Sequence, residues 1–199
     1  VTGLASLADK SVDHVITDPP YSERVHSRLG LEGRNDGTAP RPLLMFEHIT
    51  EAVMEGLARE AVRVACRWIL IFCDEISLVS WVNALTASGA EYIRKGTWVK
   101  KSPMPQMSGD RPCAGTEELV IAHAPRGPGS GRMRWNGGGR PVTYVLGSQE
   151  QGVSRVHPSQ KPLALMEALI RDFTDSNDLV CDPFSGGGST AVACRRLGV

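Results

Sequence analysis

The stretch Leu179-Val180-Cys181-Asp182-Pro183-Phe184-Ser185-Gly186-Gly187-Gly188-Ser189-Thr190-Ala191 decides how this chain folds. A short apolar run reaches an Asp-Pro pair, passes through three consecutive glycines and enters Ser-Thr-Ala, the pattern of a strand, a tight turn and a helix start. Glycine carries no Cβ, so such a turn brings backbone N–H groups and a helix N-terminus close to a nucleotide-like ligand. The spacing Gly186-x-Gly188-x-x-Ala191 also fits the dinucleotide fingerprint. Alone this is a weak signal, because glycine turns also make purely structural connections. No Lys precedes Ser189 or Thr190, which argues against a phosphate-binding P-loop.

Working back from this unit, strands and helices alternate. Val12 to Thr17 reads as a strand stopped by Asp18-Pro19-Pro20. His48 to Val64 has helical spacing at Ile49, Val53, Leu57, Ala61 and Val64, and Arg67 to Cys73 reads as a buried strand. Ile76 to Thr86 is a second helix. Tyr92 to Val99 and Glu118 to His123 are two further strands, and Pro162 opens a helix reaching Phe173. The alternation predicts an α/β fold with a mostly parallel sheet, in which ligands lie outside the carboxyl ends of the strands.

Asp18-Pro19-Pro20-Tyr21 falls at such an end. Its carboxylate and the Pro19 carbonyl can each accept one N–H of a planar exocyclic amine, while Tyr21 offers a stacking face. Hydrogen bonds to both protons favour a pyramidal nitrogen and free its lone pair for attack on a methyl sulfonium, with positioning supplying much of the rate. In isolation the same four residues also suit a capped strand end. His157-Pro158-Ser159-Gln160-Lys161-Pro162 precedes the penultimate helix and by itself is a loop.

The 199 residues suit one domain, residues 1–199, with ordinary globular usage of 41% hydrophobic and 22% charged residues, which excludes disordered and fibrous classes. No apolar run approaches the ~18 residues of a membrane span. Cys66, Cys73, Cys113, Cys181 and Cys194 form no CxxC pair, and a reduced, cytosolic setting is expected. The 22 basic and 22 acidic side chains cancel, which taken whole argues against a nucleic-acid binder. Resolved along the chain, the segment from Arg94 to Lys161 carries eleven bases against four acids, or +7, and the remainder is −7. That segment also holds 11 of 21 glycines and 7 of 13 prolines, so it reads either as a solvated loop surface or as one that contacts a polyanion.

The co-occurrence of DPPY, HPSQKP and DPFSGGGST in this order resembles the S-adenosylmethionine-dependent amino-methyltransferases of DNA, in their beta motif order, from about Ser11 to Gly198. The resemblance implies a Rossmann-like methyltransferase with helices on both faces and an antiparallel strand near one edge. It implies that Asp18, Pro19, Pro20 and Tyr21 are the catalytic tetrad, with Tyr21 stacking on a base flipped from the duplex. Asp18, Ser159, Lys161, Pro162, Asp182, Pro183, Phe184, Ser185, Gly186, Gly188, Ser189 and Thr190 would surround the cofactor. No metal is implied. A tetrad beginning with Asp is common among adenine enzymes, so adenine N6 is favoured, with cytosine N4 as the alternative.

The family's recognition region falls at about Ala124 to Val156, and the candidate DNA contacts are Lys100, Lys101, Arg111, Arg126, Arg132, Arg134, Trp135 and Arg140. This short insertion implies limited readout by one copy, shared with a second copy or a partner. The partners implied are double-stranded DNA, a homodimer mate and a companion restriction endonuclease, in the cytoplasm of a bacterial, archaeal or phage-infected cell. A loop from Ser22 to Pro42 is expected to close over DNA or cofactor. The chain starts and stops inside segments that continue in relatives, so trimmed ends are expected. Three rivals are weaker. A nicotinamide oxidoreductase leaves DPPY unexplained, Pro112-Cys113 lies between strands rather than at a cytosine C5 nucleophile position, and a non-catalytic DNA-binding module would keep the motifs without turnover.

Overall fold

The computed structural model describes residues 2–21, 49–103, 105, 107, 109–128, 131–147 and 160–199. Ser159, the rest of 148–159 and residues 22–48, which hold the expected loop from Ser22 to Pro42, lie outside them. The elements are α1 (Thr2–Ala5), β1 (His14–Thr17), α2 (Glu51–Val64), β2 (Trp68–Cys73), α3 (Leu78–Ala87), β3 (Glu91–Lys100), β4 (Thr116–His123), β5 (Thr143–Leu146), α4 (Leu163–Phe173), β6 (Val180–Cys181) and α5 (Ser189–Leu197).

The six strands form one sheet in the order β5-β3-β4-β2-β1-β6. β1 pairs in parallel with β2 and β6, and β3 in parallel with β5. β4 runs antiparallel to both of its neighbours, β2 and β3. Five strands therefore point one way, and the antiparallel strand stands third from the β5 edge.

The WILIFC run of β2 is buried throughout and shows how the core divides. Successive strand residues point to opposite faces. Ile69, Ile71 and Cys73 join a cluster with Leu57, Ala61 and Val64 of α2 and with Trp81 and Leu85 of α3. Trp68, Leu70 and Phe72 join Leu165, Leu169, Ile170 and Phe173 of α4 and Ala193 of α5. Helices thus cover both faces. Thr50 caps α2 by accepting the Val53 N–H, and Arg63 in its last turn suits the helix dipole. At the amino rim of the sheet Arg67 ties β2 to the approach to β6, with Nη1 2.8 Å from Asp178 and Nη2 3.0 Å from Asp175.

Two elements are absent from the sequence reading, the single-turn helix α1 and the strand β5. β5 is only four residues long and sits among glycines and prolines, so its alternation is too short to register as a strand. Its pairing returns the chain from the amino rim to the carboxyl rim, inside the stretch 124–156 expected to be recognition loop.

Candidate active site

Asp18 and Asp182 follow β1 and β6, adjacent parallel strands, so both motifs leave the sheet at its carboxyl rim. Thr17 joins them, its hydroxyl donating to Asp182 Oδ1 at 2.7 Å. Asp182 Oδ1 also accepts the Phe184 N–H at 3.1 Å, and Oδ2 accepts the Thr190 hydroxyl at 2.6 Å. Both oxygens thereby hold protein groups. Asp182 acts as a brace that fixes the glycine turn against β1.

The turn itself is backbone exposed to space. Gly186 and Gly188 have φ of 45° and 78°, a left-handed region that side chains rarely adopt. A Cβ at Gly188 would meet nothing within 4 Å, so the loop faces an opening at the start of α5. The Ser189 and Thr190 side chains are buried and donate inward, Ser189 Oγ to the Lys161 carbonyl at 2.9 Å. What remains to meet a ligand is the first turn of α5, whose leading N–H groups have no acceptor within the helix. Phe184 packs against the α2 side of the core at the edge of this opening. These residues fit the nucleoside-sulfonium cofactor that the motifs imply: small, open backbone donors beside one aromatic face.

Lys161 connects this loop to the tetrad. Its carbonyl holds Ser189, and its ammonium lies 2.6 Å from Asp18 Oδ2, 3.0 Å from the Tyr21 hydroxyl and 3.1 Å from Glu117 Oε2. It also sits about 5 Å from the centres of the Tyr21 and Phe72 rings, at 5.1 and 5.0 Å. The side chain expected to line the cofactor site therefore serves the tetrad. Tyr21 donates to Glu117 Oε2 at 2.6 Å, and Lys100 binds Glu117 Oε1 at 2.8 Å. Asp18 Oδ1 is buried and has no partner among the described residues.

Burial pushes the Asp18 carboxyl above its ordinary range, with Glu117 and Asp182 adding to the push and Lys161 opposing it. Burial acts in the same direction on Glu117, but Lys161 and Lys100 outweigh it and hold that carboxyl at about 2. Burial alone would lower the Lys161 ammonium; Asp18 and Glu117 reverse this and keep it charged. Burial and the two carboxylates keep the Tyr21 hydroxyl protonated. The site thus contains one permanent anion, Glu117, and one carboxylate with raised basicity, Asp18.

The expected DNA contacts separate into two groups. Lys100, Lys101 and Arg111 stand at or beyond the carboxyl end of β3, on the rim of Asp18, although Lys100 is engaged by Glu117. Arg126, Arg132, Arg134, Trp135 and Arg140 stand at the opposite rim, apart from the first group. β4 runs downward, so the chain leaves it beside Arg67, where Ala124 N–H donates to the Arg67 carbonyl. There Arg126 binds Glu91, Arg134 binds Asp175 and Arg140 binds Asp172 at 2.8, 3.3 and 2.8 Å. Trp135 packs on Phe173 and donates to the Gly138 carbonyl at 2.8 Å. A cleft of about 700 Å³ opens between Arg67, Arg132, Met133, Arg134, Trp135 and Asp175, away from the tetrad.

Glu117 is the site residue that sequence reasoning missed. It lies 96 residues from Tyr21, outside every motif. The one available signal was that two of the four acids in the basic segment stand together, as Glu117-Glu118, at the start of a strand.

The profile of a family described as DNA methylase matches residues 12–199. Type II methyltransferase M2.DpnII of Streptococcus pneumoniae is 31% identical over 212 residues, covering 98% of this chain and 78% of the relative. The crystal structure of the M1.HpyAVI–SAM complex superposes with a TM-score of 0.64 at 26% identity, covering 94% of this chain and 78% of that one. The cytosine-N4-specific PvuII DNA methyltransferase, at 14% identity, shares the fold with a TM-score of 0.69 over 98% of this chain and 74% of its own.

Proposed function

This chain belongs to the DNA methylase family, and from that premise we propose that it methylates the exocyclic amine of a base flipped from duplex DNA, adenine N6, at the mouth formed by Asp18 to Tyr21. Membership makes it an S-adenosylmethionine-dependent DNA methyltransferase acting on adenine N6 or cytosine N4. The observation that supports this use of the site is Asp18 Oδ1, a buried acceptor without a partner among the described residues, on a strand end braced directly to the glycine turn.

Bound S-adenosylmethionine supplies an electrophilic methyl group on sulfur. The backbone of Gly186 to Gly188, the first turn of α5 and Phe184 would hold it, with Pro162 closing one side. Asp18 Oδ1 and the Pro19 carbonyl accept the two amine protons and turn the nitrogen lone pair outward. Tyr21, anchored through its hydroxyl, supports the ring of the base. The basicity that burial gives Asp18 suits it to take the proton that the methylated nitrogen sheds.

Duplex DNA approaches the carboxyl rim, where Lys101 and Arg111 are exposed. We extend the reading to a second copy of the chain that shares recognition, to a companion restriction endonuclease as in a type II system, and to a cytoplasmic setting. Among the described residues no helix is long and apolar enough to cross a membrane.

Incubation with labelled S-adenosylmethionine and unmethylated genomic DNA, followed by nucleoside mass spectrometry, tests the assignment. N6-methyladenine is the expected product, and N4-methylcytosine would move the base assignment. Asp18→Ala is expected to abolish transfer while retaining cofactor binding; unchanged turnover in that variant would remove Asp18 from catalysis.

A further inference from the structure

The tetrad is held by an acid that lies outside all three motifs. A Lys ammonium has three protons, and Lys161 has three oxygen acceptors, on Asp18, Tyr21 and Glu117. Glu117 completes the set. Its Oε2 takes both the Tyr21 hydroxyl and a share of Lys161, while Oε1 takes Lys100. Without this carboxylate, two ammonium groups would face each other across a buried space, and the Tyr21 hydroxyl would lose its acceptor.

We propose that Glu117 is a positioning residue for methyl transfer. It fixes Lys161 so that the ammonium occupies Oδ2 of Asp18 and leaves Oδ1 unpartnered, as the acceptor for the amine, and it anchors the Tyr21 ring that supports the base. Glu117 itself does not touch the reacting atoms. This role rests on the reading of Asp18 to Tyr21 as the methyl-transfer mouth.

The strand register explains why Glu117 can do this. It is the second residue of β4, opposite Trp98 of β3, with Lys100 two residues further along β3, and β4 also flanks β2, which ends in Phe72 and Cys73. The antiparallel strand therefore starts at the carboxyl rim, where the parallel strands end. It delivers an acid to the site from a direction that no βα loop supplies.

The test uses the full chain with the variants Glu117→Gln and Glu117→Asp. Single-turnover methyl transfer to unmethylated genomic DNA is followed from pH 5 to 9, with S-adenosylmethionine affinity measured by calorimetry. Glu117→Gln keeps the shape and removes the charge. It is expected to lower kcat roughly ten- to hundredfold, as small misplacements of reacting groups do, with the cofactor Kd and the KM for DNA changed less than about threefold.

The acidic limb of kcat should also move to lower pH. Asp18 is faced by Lys161, Tyr21, Asp182 and Glu117, and the variant removes an anion that raises Asp18. A kcat within twofold of the parent overturns the proposal. So does a loss of kcat with an unmoved acidic limb and a proportionate rise in cofactor Kd, the signature of general loosening. Glu117→Asp keeps the charge but withdraws it by one methylene, so its kcat should fall while its acidic limb stays in place. A parental kcat in Glu117→Asp overturns the proposal even where Glu117→Gln fails to fold. A parent protein silent on every duplex overturns the methyl-transfer reading itself, a result distinct from active parent and variants.

Discussion

Asp18 and Lys161, 143 residues apart in sequence, meet with the Lys161 ammonium 2.6 Å from Asp18 Oδ2. The contact joins the strand-end tetrad to the segment that also carries the N-terminus of α5, through Ser189 Oγ on the Lys161 carbonyl. One residue thus sets the relation between the strand-end tetrad and the glycine turn.

Replacing Lys161 by Met leaves Asp18, Glu117 and the Tyr21 hydroxyl without their shared cation. Removing one partner of a buried ion pair costs about 3–5 kcal/mol, which should lower the Tm by roughly 10 °C in a chain of this size. The surviving activity should show its acidic limb at higher pH, because the cation that lowers Asp18 is gone. Thermal melting and a pH–rate profile check both; an unchanged Tm would contradict the network.

The Glu117 carboxyl is held at about 2, below its ordinary 4.5, because Lys161 and Lys100 outweigh its burial. Its folded value lies below its unfolded one, so its contribution is complete above about pH 4.5 and is lost as pH falls towards 2. About 3 kcal/mol should disappear across that window. Asp18 is raised and works in the opposite sense, favouring the fold at low pH and losing that benefit as pH rises through its folded value. Urea midpoints of the parent should therefore fall more steeply from pH 5 to 2 than those of Glu117→Gln. Parallel curves would show that Glu117 is not held down.

Gly188 has a φ of 78° and open space where a Cβ would stand. Gly188→Ala should cost about 1–2 kcal/mol in backbone strain. The added methyl would also stand in the opening above the turn, so cofactor affinity should fall at least about tenfold through lost backbone approach. Calorimetry with S-adenosylmethionine separates this from DNA affinity measured without cofactor, which should stay within about twofold. Parental cofactor affinity in this variant would move the cofactor away from the glycine turn.

The two rims make different predictions for DNA. Lys101→Glu and Arg111→Glu should raise the KM for DNA about fivefold or more and flatten its dependence on salt. Arg132→Ala and Arg134→Ala, at the amino rim, should leave that KM within about twofold. Salt titrations of all four variants decide the matter, and the reverse pattern would restore the recognition role expected from sequence.

Much of the frame was legible in advance. The helix over Glu51–Val64 and the strand Trp68–Cys73 were readable because their apolar spacing spans enough residues to fix a period and a buried face. The turn at Gly186 and Gly188 was readable because three glycines between a strand and a helix start constrain the backbone locally. β5 was not legible, since four residues between glycines and prolines set no period. Lys161 was named for the cofactor wall, but its ammonium serves Asp18 and Tyr21, a choice made by burial and charge across distant segments.

By itself the sequence determined the kinds of chemistry available: a carboxylate and prolines at one strand end, glycines at another, and a basic segment between them. These depend on local backbone rules and on residue type. Only the tertiary structure decided where they meet. The antiparallel course of β4 brings Glu117 to the rim of Asp18 and carries Arg126, Arg132, Arg134 and Arg140 to the far rim, because strand direction and register are fixed by non-local pairing and core burial, which no short window of sequence contains.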